Sequence, residues 1–412
     1  SPSESFSNLS RNFLDNNYYV KQDNIITKTY TPQDFAKIHS NYEYSLESRF
    51  AYELSKIYDI EYTYSSLTKN IETLRDFTDE YNSKNYSGVE EHNDIYMCLE
   101  QNYYDYIKEN NDLGNDVNYI CSLYNLELYL IAKEGLNIKK INDIKVYPEY
   151  KDNYANNKSL PDKLIIGIPK DNDKDFNGEK ILFDILDKDK YKFVYYETKE
   201  LFSRMKLDSK SEKCVHIIFN ISSYKNPFLL EFLRTNNVYI IGTEGIKDSL
   251  LNTYFEGTYK KDIDMTKYTV KKGGKFTNMT VKVSDMVKKK TLSFRVCLLC
   301  HKSANKLFIY NLLTKIYGNL DKFRTKLNNY LFSENNNILE DILEPYHMFY
   351  LRDYFTSQYH LGARDFYKKN RFILDKVDNI KDINGKQYTK DDRVFLSKQS
   401  LFINDELSKL FN

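Results

Sequence analysis

Between residues 163 and 255 short apolar runs alternate with segments of helical spacing, and this alternation constrains the fold more than any other feature of the chain. Strands are expected at 163–168, 191–196, 214–219 and 238–241, and helices at 178–186, 199–205, 227–234 and 244–255. Strands separated by helices of about ten residues favour parallel pairing, because a parallel neighbour needs a crossover long enough to return the chain to the same end of the sheet. Helices then cover both faces of that sheet. Upstream, helices are expected at 43–58, 70–77 and 94–107 and a strand at 126–132; downstream, a strand at 291–300, two helices within 303–331, and a Tyr-rich helical region ending at 360–367.

With 412 residues the chain exceeds the ~250–300 at which a single core stops growing, so two domains are expected. The Pro-, Asn- and Lys-rich segment 146–161 and the Lys- and Gly-rich segment from 262 break the rhythm and are the expected crossings. The division that follows is an N-terminal arm (1–32), a discontinuous first domain (33–150 plus 263–372), an inserted second domain (160–262) and a C-terminal extension (373–412). Sixty basic residues against 59 acidic leave a net charge of +1, which supplies no global field for nucleic acid or an anionic membrane. No run reaches the ~20 apolar residues needed to span a bilayer. Ser1 in place of Met leaves room for a removed leader, so the sequence does not fix the compartment.

Local signals for cofactors are weak. Cys297, Cys300 and His301 match the C-x-x-C-H spacing of haem attachment, but Val296, Leu298 and Leu299 read as a buried strand in which the two cysteines face opposite sides. They are expected to be buried thiols, and the five cysteines at scattered spacings do not form a disulfide framework. His216, inside an apolar run, is expected to be a satisfied core residue. Asp171, Asp173 and Asp175 start like a calcium loop but lack its Gly and distal Glu, and the Lys271–Lys275 and Lys288–Lys290 clusters read as solvated excursions. Phosphate-loop, dinucleotide and hydrolase-elbow signatures are absent, so no cofactor, metal or enzymatic activity is expected.

Five segments occur in an order that resembles the TAXI branch of solute receptors of tripartite (TRAP) transporters. Ser66-Leu67-Thr68-Lys69-Asn70 resembles the family segment in which an Asn precedes a Leu-rich helix, Gln101 is similar to a Gln in the next turn, and Ser122-Leu123-Tyr124-Asn125 resembles the "slyp" phrase. Phe219 to Pro227, with Asn226 before the proline, resembles a second-domain phrase, and His360, Gly362, Ala363, Phe366 and Tyr367 resemble the late "hPGA…YY" phrase. The resemblance covers roughly residues 30 to 372. It implies a two-domain α/β fold of the type II periplasmic-binding-protein kind, with mostly parallel or mixed sheets, helices on both faces and a central ligand cleft. It also implies non-enzymatic binding of a small organic molecule through Asn70, Gln101, Tyr124 and Asn226, and an extracytoplasmic location.

The departures from the family bear on the ligand. The family's glycine loops are replaced by Thr27-Lys28-Thr29-Tyr30-Thr31-Pro32 and by the aspartate-rich segment 171–178, and Leu126 stands where the family carries Glu. Glycine loops let backbone N–H groups approach a carboxylate, so any ligand is expected to be neutral or cationic. The alternative is a receptor fold reused as a structural or protein-interaction component. The 38 Tyr, 25 Phe and absence of Trp suggest an AT-rich source, for instance a large DNA virus whose particle such a component would help build.

Overall fold

The computed structural model describes residues 36–43, 45–83, 91–109, 116–150, 161–170, 182–183, 185–222, 238–241, 258–263, 269–272, 275–278, 289–331 and 359–370. The chain divides into two compact units, Ser1–Asn125 with Arg295–Asn412, and Leu126–Phe294. Among the described residues the first elements are β1 (Lys37–His39), α1 (Leu46–Ile57), β2 (Glu61–Thr63), α2 (Leu67–Ser83), β3 (Ile95–Leu99), α3 (Glu100–Glu109) and β4 (Val117–Lys133). Next come α4 (Ile141–Tyr150), β5 (Ile165–Pro169), β6 (Lys192–Tyr196), α5 (Thr198–Met205), β7 (Ile217–Ser222) and β8 (Val238–Ile241). Strands β9 (Thr258–Ile263), β10 (Thr269–Lys272) and β11 (Lys275–Asn278) lead to β12 (Lys289–His301), followed by α6 (Lys306–Gly318), α7 (Leu320–Leu331) and α8 (Leu361–Lys369).

In the first unit β1 lies between β2 and β3 and is parallel to both, while β12 runs antiparallel to β3 through Val296↔Leu99, Cys297↔Cys98, Leu298↔Met97 and Leu299↔Tyr96. In the second unit β4 is antiparallel to β7 on one side and β8 on the other, and β7, β5 and β6 are parallel. Strand β9 pairs antiparallel with residues 289–294 of β12. The fold class is therefore mixed α/β, with two units and mixed sheets.

The units divide within β4 and β12, at Asn125/Leu126 and Phe294/Arg295. The helix expected at 94–107 is corrected: 95–99 is a strand and helix begins only at Glu100. All five residues of β3 are buried, and a continuous apolar run of that length suits a strand covered on both faces as well as a helix turn.

Local signals explain the helices. Ser45 caps α1 by accepting the Ser48 N–H at 3.1 Å, Glu47 lies in the first turn and Lys56 in the last, and Leu46, Phe50 and Leu54 bury one stripe. Each such side chain contributes roughly 1.5–3 kcal/mol on burial. Asn305 caps α6 by accepting the Leu307 and Phe308 N–H groups. His360 caps α8 through Nδ1, which accepts the Gly362 N–H at 3.0 Å. Gly362 has a packing reason: a Cβ there would lie 2.9 Å from the Ile309 side chain and closer still to the Lys306 carbonyl, so α8 sits against α6 only without one. Phe366 and Tyr367 on the same helix are fully buried, and the Tyr367 hydroxyl donates to the Ile120 carbonyl.

Candidate functional site

Three parallel strands in the first unit run directly into helices: β1 into α1 after six residues, β2 into α2 after three, and β3 into α3 with none between. The strand order β2-β1-β3 means that the chain leaves β1 in one direction and returns past it to β3 in the other. The carboxyl ends of β1 and β3 therefore flank a topological switch point, where open α/β sheets leave a crevice.

Asn70, in the first turn of α2, reaches this point. Its Nδ2 donates toward the carbonyls of His39 (3.0 Å), Ser40 (2.7 Å) and Met97 (2.7 Å), tying the end of β1 to β3. The geometry fixes the amide orientation, since only the nitrogen can face three carbonyls. Asn70 is 1 % exposed, and its Oδ1 is buried with no hydrogen-bond donor. The Thr68 hydroxyl, one turn edge away on α2, is also buried without a hydrogen-bond partner.

Next to Ser40, Asn41 donates through Nδ2 to Glu47 Oε1 at 2.9 Å, and the Tyr124 hydroxyl donates to Glu47 Oε2 at 2.8 Å. Glu47 and Tyr124 are 2 % and 3 % exposed. Burial raises the Glu47 carboxyl above the ordinary carboxylate range, against the Asn41 and Tyr124 hydrogen bonds that favour its charged form. Burial and the neighbouring Glu47 likewise raise the Tyr124 phenol, so Tyr124 remains a donor. The expected residues Asn70 and Tyr124 are thus linked through Ser40, Asn41 and Glu47. Gln101 is the second residue of α3, at the carboxyl end of β3. Asn226 and the aspartate-rich segment lie outside the described residues.

Sequence reasoning passed over three further groups. Glu47 in a first helical turn reads as a dipole-complementing surface charge, and only the fold buries it. Glu100 and Arg295, at 0 % and 1 % exposure, form an ion pair of 2.6 Å, with the Tyr119 hydroxyl donating to the same carboxylate oxygen at 3.2 Å. Their separation of 195 residues left no local signal. Asp94 binds His39 Nε2 at 2.9 Å beside His92, whose Nε2 meets the Tyr96 hydroxyl at 2.8 Å.

The remaining local signals find structural uses. His216 accepts the Ile165 N–H on Nδ1 at 2.9 Å and donates from Nε2 to the Ser209 carbonyl, and burial lowers its pKa, as expected of a satisfied core imidazole. Cys297 and Cys300 are fully buried in β12, with strand alternation placing them on opposite faces. His301 Nδ1 accepts the Ser303 N–H and hydroxyl, closing the turn after β12, and burial together with His92 holds its imidazole down to about 4. Among the described residues no group of three His, Cys, Asp or Glu is placed to hold a metal ion, and no helix is long and apolar enough to cross a membrane.

No family model and no curated protein matches the chain. Solved structures similar to it include substrate- and solute-binding proteins. MatC from Rhodopseudomonas palustris with bound malate has a TM-score of 0.41 at 9 % identity, over 76 % of this chain and 91 % of that one. The substrate-binding protein of an ABC uptake transporter from Streptococcus pneumoniae with bound histidine has a TM-score of 0.38 at 12 % identity, over 73 % and 93 %. The periplasmic binding protein BugD has a TM-score of 0.40 at 9 % identity, over 73 % and 88 %.

Proposed function

We propose that this chain is a non-enzymatic, solute-receptor-type binding protein of TAXI-like descent, which holds a small organic molecule at the carboxyl ends of β1 and β3. The observation that carries this reading is Asn70: its amide nitrogen is committed to three backbone carbonyls while its buried Oδ1 has no donor. Leaving such an acceptor unmade costs about 1–3 kcal/mol, and a fold keeps that cost where a partner arrives from outside. A partner for Asn70 Oδ1 must bring a donor, an N–H or an O–H. Glu47 adds an acidic group to the same end of the sheet, so the ligand class is neutral or cationic: an amide, a polyol or an amine. Gln101 and Asn226 are proposed as further contacts, and Tyr124 as the residue that positions Glu47. An extracytoplasmic location belongs to this reading.

A second reading keeps the fold as a structural or protein-interaction component. Its support is that Asn41, Glu47 and Tyr124 already satisfy one another with Glu47 and Tyr124 almost fully buried, an arrangement that works without any ligand. A thermal-shift panel of amides, polyols, amines and dicarboxylates on protein unfolded, dialysed and refolded to remove carried ligand separates the two. The receptor reading expects a neutral or cationic compound to raise Tm and calorimetry to give a micromolar Kd that weakens at least tenfold in Thr68→Val. A panel with no response in the wild-type protein favours the structural reading, and binding confined to dicarboxylates overturns the ligand class.

A further inference from the structure

We propose that Cys98 and Cys297 form a cross-strand disulfide during oxidative folding, which staples together the two chain segments that make up the first unit. In the antiparallel pair of β3 and β12, Cys297 lies directly opposite Cys98. Directly opposed residues share a face of the sheet, and their Cα atoms stand about 4.5 or 5.5 Å apart depending on the hydrogen-bonding position. Both spacings fall inside the roughly 4.4–6.8 Å that a disulfide spans. Cys121 lies on β4, the other neighbour of β12 in the sheet, and is the competing partner that peptide mapping must distinguish. Cys300 projects to the other face of β12, and Cys214 belongs to the second unit.

The placement gives the bond a purpose. Cys98 lies in the segment Ser1–Asn125 and Cys297 in Arg295–Asn412, so the bond closes a loop around the whole second unit. Strand β12 joins the two segments through main-chain hydrogen bonds to β3 and the Arg295–Glu100 ion pair, and a covalent link between them would survive when those interactions open. Both thiols are fully buried in the folded protein, and burial pushes the Cys98 thiol far above its ordinary range. A low thiolate fraction and no access make exchange slow once the sheet has closed, so the reaction belongs to folding. Two thiols give up two protons and two electrons to form one S–S bond. A low-molecular-weight disulfide such as glutathione disulfide accepts them and becomes two thiols.

The test is refolding of the reduced full-length chain in a glutathione and glutathione disulfide buffer, followed by alkylation and non-reducing peptide mapping. The expected result is one linked pair of peptides containing Cys98 and Cys297, two hydrogens lighter than the sum of its parts, with Cys121, Cys214 and Cys300 alkylated. The urea midpoint of wild-type protein should rise in the oxidising buffer, and that of the Cys98→Val, Cys297→Val double variant should be the same in both buffers. Alkylation of all five cysteines, or a bond from Cys297 to any other cysteine, overturns the proposal. If refolding yields are low, protein secreted into an oxidising periplasm and mapped as purified gives the same decision.

Discussion

Two segments that carry the family resemblance, the start of α2 around Asn70 and the start of α8 around His360, are both buried helix openings, yet they use their polar atoms differently. At α8 the imidazole is fully employed: Nδ1 accepts the Gly362 N–H, and Nε2 lies 2.9 Å from the Ala304 carbonyl, to which it donates. At α2 the Asn70 nitrogen is fully employed while its oxygen and the Thr68 hydroxyl are left without partners. The contrast lies in the single side chain at each opening, since Arg364 Nε in the first turn of α8 is also buried without a hydrogen-bond partner.

The sharpest attack on this contrast is Asn70→Ala. The two N–H groups that Asn70 shares among three backbone carbonyls are lost, and at roughly 1–3 kcal/mol for each buried hydrogen bond left unmade the loss should reach about 3 kcal/mol in urea unfolding. A loss under about 1 kcal/mol would show that these carbonyls are served by water and that Asn70 does not hold β1 to β3. Gly362→Ala tests the other segment. The new Cβ meets the Lys306 backbone carbonyl, which cannot swing aside as a side chain would, so α8 must move off α6 at a cost of about 2–3 kcal/mol. Unchanged stability would mean that this glycine is not there for close approach.

Acid titration probes His360 specifically. Burial, with Arg364 and Lys306 nearby, holds its imidazole down to about 4, outweighing the carbonyls that favour the charged form. An unfolded histidine takes up its proton near 6.5, before the folded one does, so stability should fall as pH drops from about 6.5 to about 4 and level off below. His301, also held down to about 4, adds to the same slope. Glu47 acts in the opposite sense: its raised pKa means that the stability it contributes when protonated is lost as pH rises above the ordinary carboxylate value. His360→Asn keeps a capping side chain and removes one titrating group, so the slope between pH 6 and pH 4.5 should drop by up to about 1.4 kcal/mol per pH unit. An unchanged slope would place the acid sensitivity elsewhere, with His92 and His216, both lowered by burial, the next to examine.

How far the sequence revealed this molecule depended on whether a signal was local. Strands β5, β6, β8 and β12 and helices α6 and α7 were legible because apolar runs or helical spacing persist over their length. Strands β1 and β2 were not: three residues such as Lys37-Ile38-His39 carry no periodicity, and only the sheet makes them strands. Asn70 was singled out through its resemblance to a family phrase. The residues that surround it were not, because Glu47 becomes a buried acid only when Tyr124, 77 positions later, folds against it. Arg295 and Glu100 are hidden in the same way. Tertiary pairs of this kind leave no trace in composition or spacing.

The smallest expected effect is also the most discriminating. Thr68→Val replaces a buried hydroxyl that lacks a hydrogen-bond partner with a methyl of nearly the same size. Removing an unsatisfied polar atom from an interior is neutral or stabilising, so the variant should match or exceed the wild-type protein by up to about 1 kcal/mol. An architectural hydroxyl, such as that of Thr78, which donates to the Leu74 carbonyl at 2.8 Å, should behave the other way, and Thr78→Val should cost about 1 kcal/mol. Measured together by urea unfolding, the two valine variants isolate the value of a satisfied hydroxyl within one helix. If Thr68→Val proves as destabilising as Thr78→Val, the Thr68 hydroxyl has an internal partner such as a buried water, and the case for a ligand at this helix start loses one of its two supports. If Thr68→Val is stabilising and also weakens ligand binding, the chain is keeping a destabilising group at that position for the sake of what it binds.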